Sequence, residues 1–321
     1  MAEGEVFASK PASGEPWDVI IIGSGPAALT AAIYTTRGAA STVIVGGEKW
    51  GGQLMLTTTV DNWPSSPGIQ GPDLMQKMRD HSLIYGAEFL QKNAEGIDVS
   101  KKPFEVTVAG TKYLGHSVII ATGADTKWLD APGVAKYVGR GVSSCAPCDA
   151  PFFKGKKVAV VGGGDSAMEE ALTLAKYTTE VTIIHRRDAF RASAAMQKKV
   201  TENPKIKILW NTEVKEVVGN DKVEKVLLIN NKTNQESELV LDGIFVAIGH
   251  VPSTMIFSGK IELDARGYVV VSDHTKTSVP GIFVAGDVHD YHYKQAVTAA
   301  GFGCMAAMDT IKYLEETKAA G

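Results

Sequence analysis

The stretch Asp18-Val19-Ile20-Ile21-Ile22-Gly23-Ser24-Gly25-Pro26-Ala27-Ala28 decides the fold of this chain of 321 residues. An apolar run of the kind that is buried in parallel sheets leads directly into a G-x-G-x-x-A turn. A helical pattern follows over 29–34, and a second apolar strand over 41–45. This order predicts a Rossmann-like unit whose helix amino terminus receives a pyrophosphate.

One element of the dinucleotide fingerprint is missing from this first unit. An acidic residue is expected about 20 residues after the glycines, at the end of the second strand, where it binds a ribose. That strand ends in Val45-Gly46-Gly47, and Glu48 comes slightly late. The ribose contacts of the first unit are therefore left open.

The same pattern recurs in the middle of the chain. An apolar strand over 157–161 leads into Gly162-Gly163-Gly164-Asp165-Ser166-Ala167, followed by a helical pattern and a strand over 181–184. Each copy closes on an apolar strand followed by Ala-x-Gly, at 118–123 and at 243–249. Because the chain contains this internal repeat, we predict two nucleotide-binding domains.

Basic residues stand where an NAD site would place an acid. The second strand of the second unit ends in His185-Arg186-Arg187-Asp188-Ala189-Phe190-Arg191. Three arginines at the ribose end of a Rossmann unit are positioned to pair with the extra 2′-phosphate of NADPH. The alternative is a solvated basic turn. The position favours the phosphate interpretation, and hence NADPH over NADH.

The last part of the chain does not form a domain of its own. It contains one buried strand pattern, Val279 to Asp287, and one helical pattern over 295–308. So few elements bury too little surface for independent stability. We therefore predict an α/β protein with two Rossmann-like, doubly wound, three-layer domains. A leader over 1–16 precedes a first domain formed by 17–124 and 252–321, and a second domain, 125–251, is inserted into it.

The pair Cys145-Ala146-Pro147-Cys148-Asp149 lies between the two glycine turns. Two cysteines at this spacing close a disulfide or open to a dithiol, and the adjacent acid can exchange the proton that thiolate chemistry requires. A structural zinc site needs four ligands, and recruiting His289 and His292 as the other two is improbable. The third cysteine, Cys304, lies in an apolar helical pattern and is expected to be buried.

The composition excludes several classes of function. A net charge of −3 gives no bulk attraction for nucleic acid or anionic membranes. No apolar run approaches the roughly 18 residues of a membrane span. Residues 1–16 carry three glutamates and lack the apolar core of a secretory signal. Three cysteines are too few for a secreted disulfide scaffold, so we expect a cytosolic protein without a metal site.

Two further patterns concern the first unit. The turn Gly51-Gly52-Gln53-Leu54, with the threonines after it, is either a surface loop or the lining of a large planar ring. Residues 71–86 form a helical pattern whose methionines are expected in the core.

Six motifs, taken in order, are similar to those of the low-molecular-weight thioredoxin reductases over residues 17–315. They are Gly23-Ser24-Gly25-Pro26-Ala27, Gly51-Gly52-Gln53-Leu54, Cys145-x-x-Cys148-Asp149, the turn 162–167, His185-Arg186-Arg187-Asp188-x-Phe190-Arg191, and Gly286-Asp287-Val288.

The resemblance implies FAD on the first domain and NADPH on the inserted one, in a homodimer. On the flavin side it implies contacts from Gly23, Ser24, Gly25, Pro26, Ala27, Gly51, Gly52, Gln53, Leu54, Asn62, Thr122, Gly123, Gly286, Asp287, Lys294, Gln295 and Ala296. On the NADPH side it implies contacts from Gly162, Gly163, Gly164, Asp165, Ser166, His185, Arg186, Arg187, Arg191, Ile248 and Gly249.

The implied activity is the NADPH-dependent reduction of thioredoxin. NADPH reduces FAD, FAD reduces the Cys145–Cys148 disulfide, and the dithiol reduces thioredoxin by exchange, with Asp149 as the acid or base. The resemblance places Cys148 nearer the flavin. It also implies that the NADPH domain rotates about hinges near Gly123-Ala124 and Gly249-His250.

Three positions depart from the family pattern, which usually has Thr, Gly and Arg where this chain has Pro147, Ala150 and Lys294. Proline removes an N–H within the cysteine ring, which shifts the reduction potential in a direction left open here. Alanine resists a positive φ, so a different backbone is expected after Asp149.

Other functions share parts of this pattern. The flavoprotein arm of a peroxide-reducing system has the same core but usually carries a long N-terminal extension with its own C-x-x-C. A reductase of small disulfides is compatible with Pro147. A nucleotide sensor without turnover is disfavoured by the intact cysteine pair and the three arginines.

Overall fold

The computed structural model describes residues 9–57 and 59–319, so the first half of the expected leader lies outside the described residues. The chain divides into two compact units. Unit 1 contains the chain up to Asp125 and again from Val251, and unit 2 contains Thr126–His250. These crossings lie one residue from the boundaries expected at 124/125 and 251/252.

Unit 1 is built on one mixed sheet with helices. Its elements up to the first crossing are β1 Trp17–Ile22, α1 Pro26–Arg37, β2 Thr42–Val45, β3 Thr59–Val60, β4 Ile69–Gln70, α2 Gly71–Ile84, β5 Glu88–Leu90, β6 Ala94–Asp98, β7 Phe104–Val108 and β8 Thr111–Ile120. A 3₁₀ turn covers Gly52–Leu56. The crossing strand β9 covers Ala124–Thr126.

The order of the main sheet is β5-β2-β1-β8, all parallel, with β7 and β6 added antiparallel. The far edge of β8 pairs with β7 along its first half. Its second half pairs in parallel with Ile282–Val284, a strand from the end of the chain. The returning chain thereby completes unit 1, and unit 2 is an insertion.

Unit 2 repeats this construction. Its elements are α3 Val134–Tyr137, β10 Val142–Ser143, α4 Ala146–Asp149, β11 Lys157–Val161, α5 Asp165–Leu174, β12 Glu180–Ile184, α6 Ala194–Thr201, β13 Ile206–Leu209, β14 Thr212–Gly219, β15 Val223–Asn230, β16 Glu236–Val240 and β17 Gly243–Val246. A parallel sheet has the order β10-β17-β11-β12-β13, and β14-β15-β16 form an antiparallel sheet. After the second crossing strand, β18 His250–Pro252, come β19 Ile282–Val284 and α7 Ala296–Ala319.

The central strands of both sheets are almost wholly buried, as their continuous apolar runs predict. Val19, Ile20 and Ile21 in β1, and Ile183 in β12, have no exposed surface. Burying each such side chain contributes about 1.5–3 kcal/mol. These cores hold the carboxyl ends of the strands, and therefore both glycine turns, in fixed positions.

Helix α7 packs closely on α1 and is longer than predicted. A Cβ at Gly303 would lie 2.1 Å from the carbonyl oxygen of Ala27, so the two backbones approach directly. The helix runs eleven residues beyond the expected end at Met308, to Ala319. Met75 in α2 is buried in the same core, as predicted for the methionines of that helix, and Met78 packs against it.

Two expectations for the end of the chain were wrong. The strand expected over 279–287 forms only at Ile282–Val284, where it pairs with residues 118–120 of β8. Cys304 is half-buried rather than buried, with its Sγ 3.9 Å from Sδ of Met308. The apolar residues of α7 exceed the single stripe that packs on α1, so some of them face outward.

Candidate functional site

The two cysteines of the C-x-x-C motif form a disulfide within unit 2. Cys145 ends the segment after β10, and Cys148 lies in the single helical turn α4, with the Cα atoms 5.3 Å apart. Pro147 occupies the first turn of α4, where an N–H has no partner within the helix. Ala150 has a φ of −53°, so this residue avoids the positive φ that alanine resists, and a backbone difference from relatives with glycine here stays a prediction. The helical turn continues through this position with an ordinary right-handed conformation.

Asp149 is held beside the disulfide by Ser143. The Ser143 hydroxyl donates to Oδ2 of Asp149 across 2.6 Å and accepts the N–H of Cys145 across 3.1 Å. Burial raises the pKa of Asp149 above its ordinary value, and the hydrogen bond from Ser143 partly offsets this. A carboxyl group with a raised pKa can hold a proton for a departing thiolate, which suits the expected acid or base.

A second carboxylate contacts the cysteine turn from the neighbouring helix. Oε2 of Glu170, in α5, accepts the backbone N–H of Ala146 between the two cysteines. Neither Glu170 nor Ser143 was identified from the sequence. Ser143 lies two residues before Cys145 and was within reach of a local argument. Glu170 was not, because only the packing of α4 on α5 brings it to the turn.

The first glycine turn leaves space for a ligand. Gly23 has a φ of +127°, and a Cβ there would lie 2.1 Å from the carbonyl oxygen of Ala121. At Gly25, which precedes Pro26 in α1, a Cβ would meet nothing within 4 Å. The first position therefore requires glycine for the fold. The second keeps the helix amino terminus open, as a pyrophosphate site requires.

The turn 51–54 lies beside this glycine turn, although some of the side chains predicted to contact the flavin contact protein atoms. A Cβ on Gly52 would be 3.6 Å from Cα of Gly25. Ser24 donates to the carbonyl of Gly46 and accepts the N–H of Gly51 across 2.9 Å, so its hydroxyl ties the turns together. Leu54 packs against the core. The exposed Gln53 donates to Asp125 across 3.1 Å, also within unit 1.

Asp287 is the most unusual of the predicted flavin contacts. Its Oδ1 is buried and has no hydrogen-bond partner among the described residues. Burial, followed by the nearby Asp290, raises the pKa of Asp287 to about 7. The preceding Gly286 lies against Ala27 at the start of α1, where an added Cβ would be 3.0 Å from the Cβ of Ala27. A buried carboxyl oxygen without a partner, beside an open glycine turn, fits a ligand whose hydroxyl groups donate hydrogen bonds.

The segment before α7 brings two further predicted contacts together. Nδ2 of Asn62 donates to Oε1 of Gln295 across 3.2 Å. Asp290, which the sequence reasoning missed, accepts the backbone N–H groups of His292, Tyr293 and Lys294. This clamp holds Lys294 at a positive φ of 48° directly before Gln295 and Ala296, the start of α7.

The second glycine turn has the same open position. A Cβ at Gly164 would meet nothing within 4 Å, whereas one at Gly163 would strike the ring of the buried His185. His185 contacts the carbonyl of Ala189 across 3.0 Å, and burial lowers its pKa. The carboxylate of Asp165 accepts both N–H and Oγ–H of Ser193 and so anchors the following loop, while Ser166 is exposed.

The arginine loop folds back over this turn. The N–H of Arg191 donates to the carbonyl of Gly163 across 2.7 Å. Arg186, Arg187 and Arg191 are exposed, and within the ranges 9–57 and 59–319 no carboxylate forms an ion pair with them. Three unpaired guanidinium groups beside an open glycine turn suit a polyanionic ligand.

The remaining predicted contacts lie at the two chain crossings. Thr122 donates to the carbonyl of Ser253 across 2.8 Å, and the carbonyl of Gly123 accepts the N–H of the same residue. The carbonyl of Gly249 accepts the N–H of Lys127, and Ile248 beside it is exposed. In each unit, these hydrogen bonds join the segment at the first crossing to the segment at the second.

Residues 9–57 and 59–319 contain neither a metal-binding cluster nor a helix that could span a membrane. No three His, Cys, Asp or Glu side chains gather into a group suited to a metal ion. No helix there combines the length and apolarity that crossing a bilayer demands.

Comparison with known proteins identifies the family of this chain. The family model for pyridine nucleotide-disulphide oxidoreductases matches residues 17–303. A thioredoxin reductase of Rickettsia felis is 48% identical over 304 residues, covering 93% of this chain and 98% of the relative. One of Coxiella burnetii is 46% identical over 308 residues, covering 92% and 96%.

A solved thioredoxin reductase from Giardia duodenalis superimposes with a TM-score of 0.90 at 42% identity, covering 94% of this chain and 99% of that one. These matches span both units and the cysteine pair, and they confirm the mixed α/β fold with two parallel-sheet nucleotide-binding domains. The chain therefore belongs to the pyridine nucleotide-disulphide oxidoreductase family, among its low-molecular-weight thioredoxin reductases.

Proposed function

We propose that this thioredoxin reductase takes reducing equivalents from NADPH through FAD to the Cys145–Cys148 disulfide, and passes them to thioredoxin. The observation that carries the proposal is the disulfide itself, with the half-buried Asp149 held beside it by Ser143. When bound, the two cofactors supply hydride transfer and electron delivery to the disulfide. The family typically binds FAD and a pyridine nucleotide, and the choice of NADPH rests on this chain's own residues.

Unit 1 has the residues that would hold FAD. Gly25 leaves room for phosphate at the start of α1, and the turn at Gly51 and Gly52 lies beside it. The orphaned Oδ1 of Asp287 would accept hydrogen bonds from ribityl hydroxyls. Asn62 and Gln295 already contact each other and would border the ring system.

Unit 2 has the residues that would hold NADPH. The open position at Gly164 would receive the pyrophosphate, and the three arginines would pair with the 2′-phosphate. The carboxylate of Asp165 accepts N–H and Oγ–H of Ser193 and so anchors the loop that follows the arginines. These features support NADPH over NADH.

The dithiol chemistry needs three side chains. One cysteine thiolate attacks the disulfide of thioredoxin, forming a mixed disulfide and releasing one thioredoxin thiol. The second cysteine then attacks that mixed disulfide, which restores Cys145–Cys148 and frees the other thiol. Asp149 supplies a proton to a departing thiolate, a task for which its raised pKa is suited.

The glycines at the crossings suit a hinge, which we propose lets the dithiol alternate between flavin and thioredoxin. Gly123 and Gly249 have φ values of 69° and 113°, and only glycine moves freely through that region. An engineered crosslink between the crossings should abolish turnover while flavin stays bound. Unchanged turnover would contradict the hinge. A homodimer and a cytosolic location stay predictions.

The main test is an anaerobic NADPH titration in the presence of thioredoxin. The wild-type protein should oxidise NADPH in step with the appearance of thioredoxin thiols. Cys148→Ser should still bleach its flavin but transfer nothing, and Cys304→Ser should behave as wild type. Reduction of small disulfides with no activity on thioredoxin would favour the small-disulfide alternative. Flavin bleaching without any disulfide reduction by the wild type would favour the sensor.

A further inference from the structure

The backbone between the two cysteines offers unusually few hydrogen-bond donors. The N–H of Ala146, which directly follows Cys145, is taken by the carboxylate of Glu170. Pro147 has no N–H. The N–H of Cys148 donates to the carbonyl of Cys145 across 3.2 Å, and that of Asp149 donates to the same carbonyl across 3.1 Å.

We propose that Glu170 and Pro147 together withhold backbone donors from the reduced cysteines, so that the dithiol is kept a strong reductant. Glu170 acts as a positioning residue through the Ala146 amide rather than as a catalytic residue. The inference adds to the proposed function and assigns Pro147 the direction of effect that the sequence left open.

The physical basis is the stability of the thiolate. A thiolate that accepts backbone N–H groups is stabilised, its pKa falls, and the dithiol state is favoured over the disulfide. Disulfide oxidoreductases with a strongly stabilised thiolate are oxidants for this reason. A turn whose donors are occupied or missing lacks that stabilisation. Its thiols keep a higher pKa, and the pair gives up its electrons more readily.

The charge of Glu170 acts in the same direction as its hydrogen bond. A carboxylate at the Ala146 amide raises the energy of an added negative charge on an adjacent sulfur. Glu170 contacts this turn from α5, and Asp149 lies at its end. The 3₁₀ turn Ala150–Phe153, which also packs on α4, carries no charged residue. The other acids of α5, Asp165 and Glu169, are exposed.

The contact is a built feature of the two elements. Ala146 is fully buried and Glu170 is half-buried, so the hydrogen bond lies where water competes poorly. The adjacent Glu169 on the same helix is exposed. Two neighbouring glutamates in α5 thus offer a matched comparison, since each carries the same charge and only one reaches the cysteine turn.

Four variants of the full-length holoprotein test the proposal: Glu170→Gln, Glu170→Ala, Pro147→Ala and the control Glu169→Gln. Each is reduced, and the alkylation rate of Cys145 and Cys148 is followed against pH by peptide mass spectrometry. Glu170→Gln keeps an acceptor for the amide but removes the charge, so the midpoint should fall by about half a pH unit. Glu170→Ala also frees the amide, and Pro147→Ala restores a donor. In both of these variants the midpoint should fall further, by about one pH unit, and alkylation at pH 7 should be roughly threefold faster than in the wild type.

Equilibration with glutathione at pH 8.5, where thiolate is populated, gives an independent readout. The ratio of dithiol to disulfide should rise about threefold in Glu170→Ala and in Pro147→Ala, and stay unchanged in Glu169→Gln. A role confined to folding would lower the melting temperature without moving either quantity. Pro147 is exposed, so Pro147→Ala should fold normally and still tests the proposal if Glu170→Ala folds poorly.

Two results would overturn the proposal. One is that the alkylation profiles and glutathione ratios of Glu170→Ala and Pro147→Ala coincide with those of the wild type. The other is that Glu169→Gln shifts as much as Glu170→Gln, which would make the effect one of net charge alone. Failure of the proposed function would look different, because the wild-type protein would then not reduce thioredoxin with NADPH.

Discussion

The hydroxyl of Ser143 donates to Asp149 across 2.6 Å and connects that carboxylate to the backbone of Cys145. Ser143 is the last residue of β10 and Asp149 the last of the helical turn α4, so this contact fixes the acid and the disulfide to the same strand end. Burial alone would leave the Asp149 carboxyl with a still higher pKa, and Ser143 moderates it. The proton supply of the exchange reaction thus depends on a residue that carries no redox chemistry.

Replacing Ser143 by Ala should shift the pH dependence of thiol exchange to higher pH. Without the donated hydrogen bond, the ionised form of Asp149 is less stable, so the pKa of that carboxyl rises by about one unit. Reoxidation of the reduced protein by a small aromatic disulfide, measured from pH 5 to pH 9, should show the displaced limb. Ser143→Thr keeps the hydroxyl and should restore the wild-type profile. A profile of Ser143→Ala that coincides with wild type would exclude this role.

Replacing Asp287 by Asn should stabilise the flavin-free protein at neutral and alkaline pH while weakening FAD binding. The pKa of Asp287 is about 7 in the folded protein against an ordinary 3.8, so the folded state binds a proton that the unfolded chain has released. This contribution to stability is complete below about pH 4 and is lost as pH rises through 7. Asn does not ionise, so Asp287→Asn does not lose this stability as the pH rises.

The measurement is thermal unfolding of the flavin-free proteins from pH 4 to pH 8, with FAD affinity followed by fluorescence. The melting temperature of Asp287→Asn should exceed that of wild type at pH 8 by about 2–4 °C, and the difference should shrink toward pH 4. The control is Asp309→Asn, because the carboxylate of Asp309 lies in α7 and accepts the hydroxyl of Thr275. Equal FAD affinity in wild type and Asp287→Asn would contradict the assignment of this residue to the flavin site.

Alanine at Gly23 and alanine at Gly25 should fail in different ways. At Gly23 the added Cβ would meet the carbonyl of Ala121 at 2.1 Å with φ at +127°, so the domain itself should be destabilised, by about 2–4 kcal/mol. At Gly25 the Cβ meets no protein atom within 4 Å and φ is −74°, so the apoprotein should fold normally. Its methyl group would instead occupy ligand space.

Chemical denaturation and FAD titration separate the two outcomes. Gly23→Ala should unfold at lower denaturant concentration. Gly25→Ala should unfold like wild-type apoprotein but bind FAD at least tenfold more weakly. A Gly25→Ala protein with normal flavin affinity would place the pyrophosphate elsewhere.

Removing single arginines from the loop over the second glycine turn should cost NADPH binding selectively. Arg187→Ala and Arg191→Ala should each raise the KM for NADPH about 10- to 100-fold, since each removes one charge-assisted pair with the 2′-phosphate. The KM for NADH, which has no such phosphate, should change little and serves as the internal control. Parallel losses for both nucleotides would show that the loop supports the fold instead of reading the phosphate.

Local patterns along the chain were enough to identify most of the fold. The apolar run before Gly23 and its counterpart before Gly162 became the central strands β1 and β11, and both glycine turns open onto helices. The return of the last segment to unit 1 was also inferred correctly, because a lone strand and helix needed a partner sheet. Ala150 has a right-handed φ of −53°, in keeping with the resistance of alanine to a positive φ.

Side-chain roles within the motifs were harder to infer. Ser24 and Asp165 belong to the glycine motifs, yet their polar atoms serve internal hydrogen bonds to Gly46 and Ser193. A motif specifies the backbone that a ligand needs, and its side chains remain free to take partners elsewhere. The prediction that Cys304 is buried was wrong for a related reason, because an apolar helix buries only the stripe that its neighbour covers.

The sequence by itself determined the two nucleotide-binding units, the insertion of one into the other, and the cysteine pair with its adjacent acid. Each of these follows from short-range order, in which strand, turn and helix succeed one another within a few residues. Only the tertiary structure decided that Glu170 takes the Ala146 amide and that Asp287 keeps a buried oxygen without a partner. Those facts depend on which elements pack together, and residues 24 positions apart carry no local signal of a contact that packing creates.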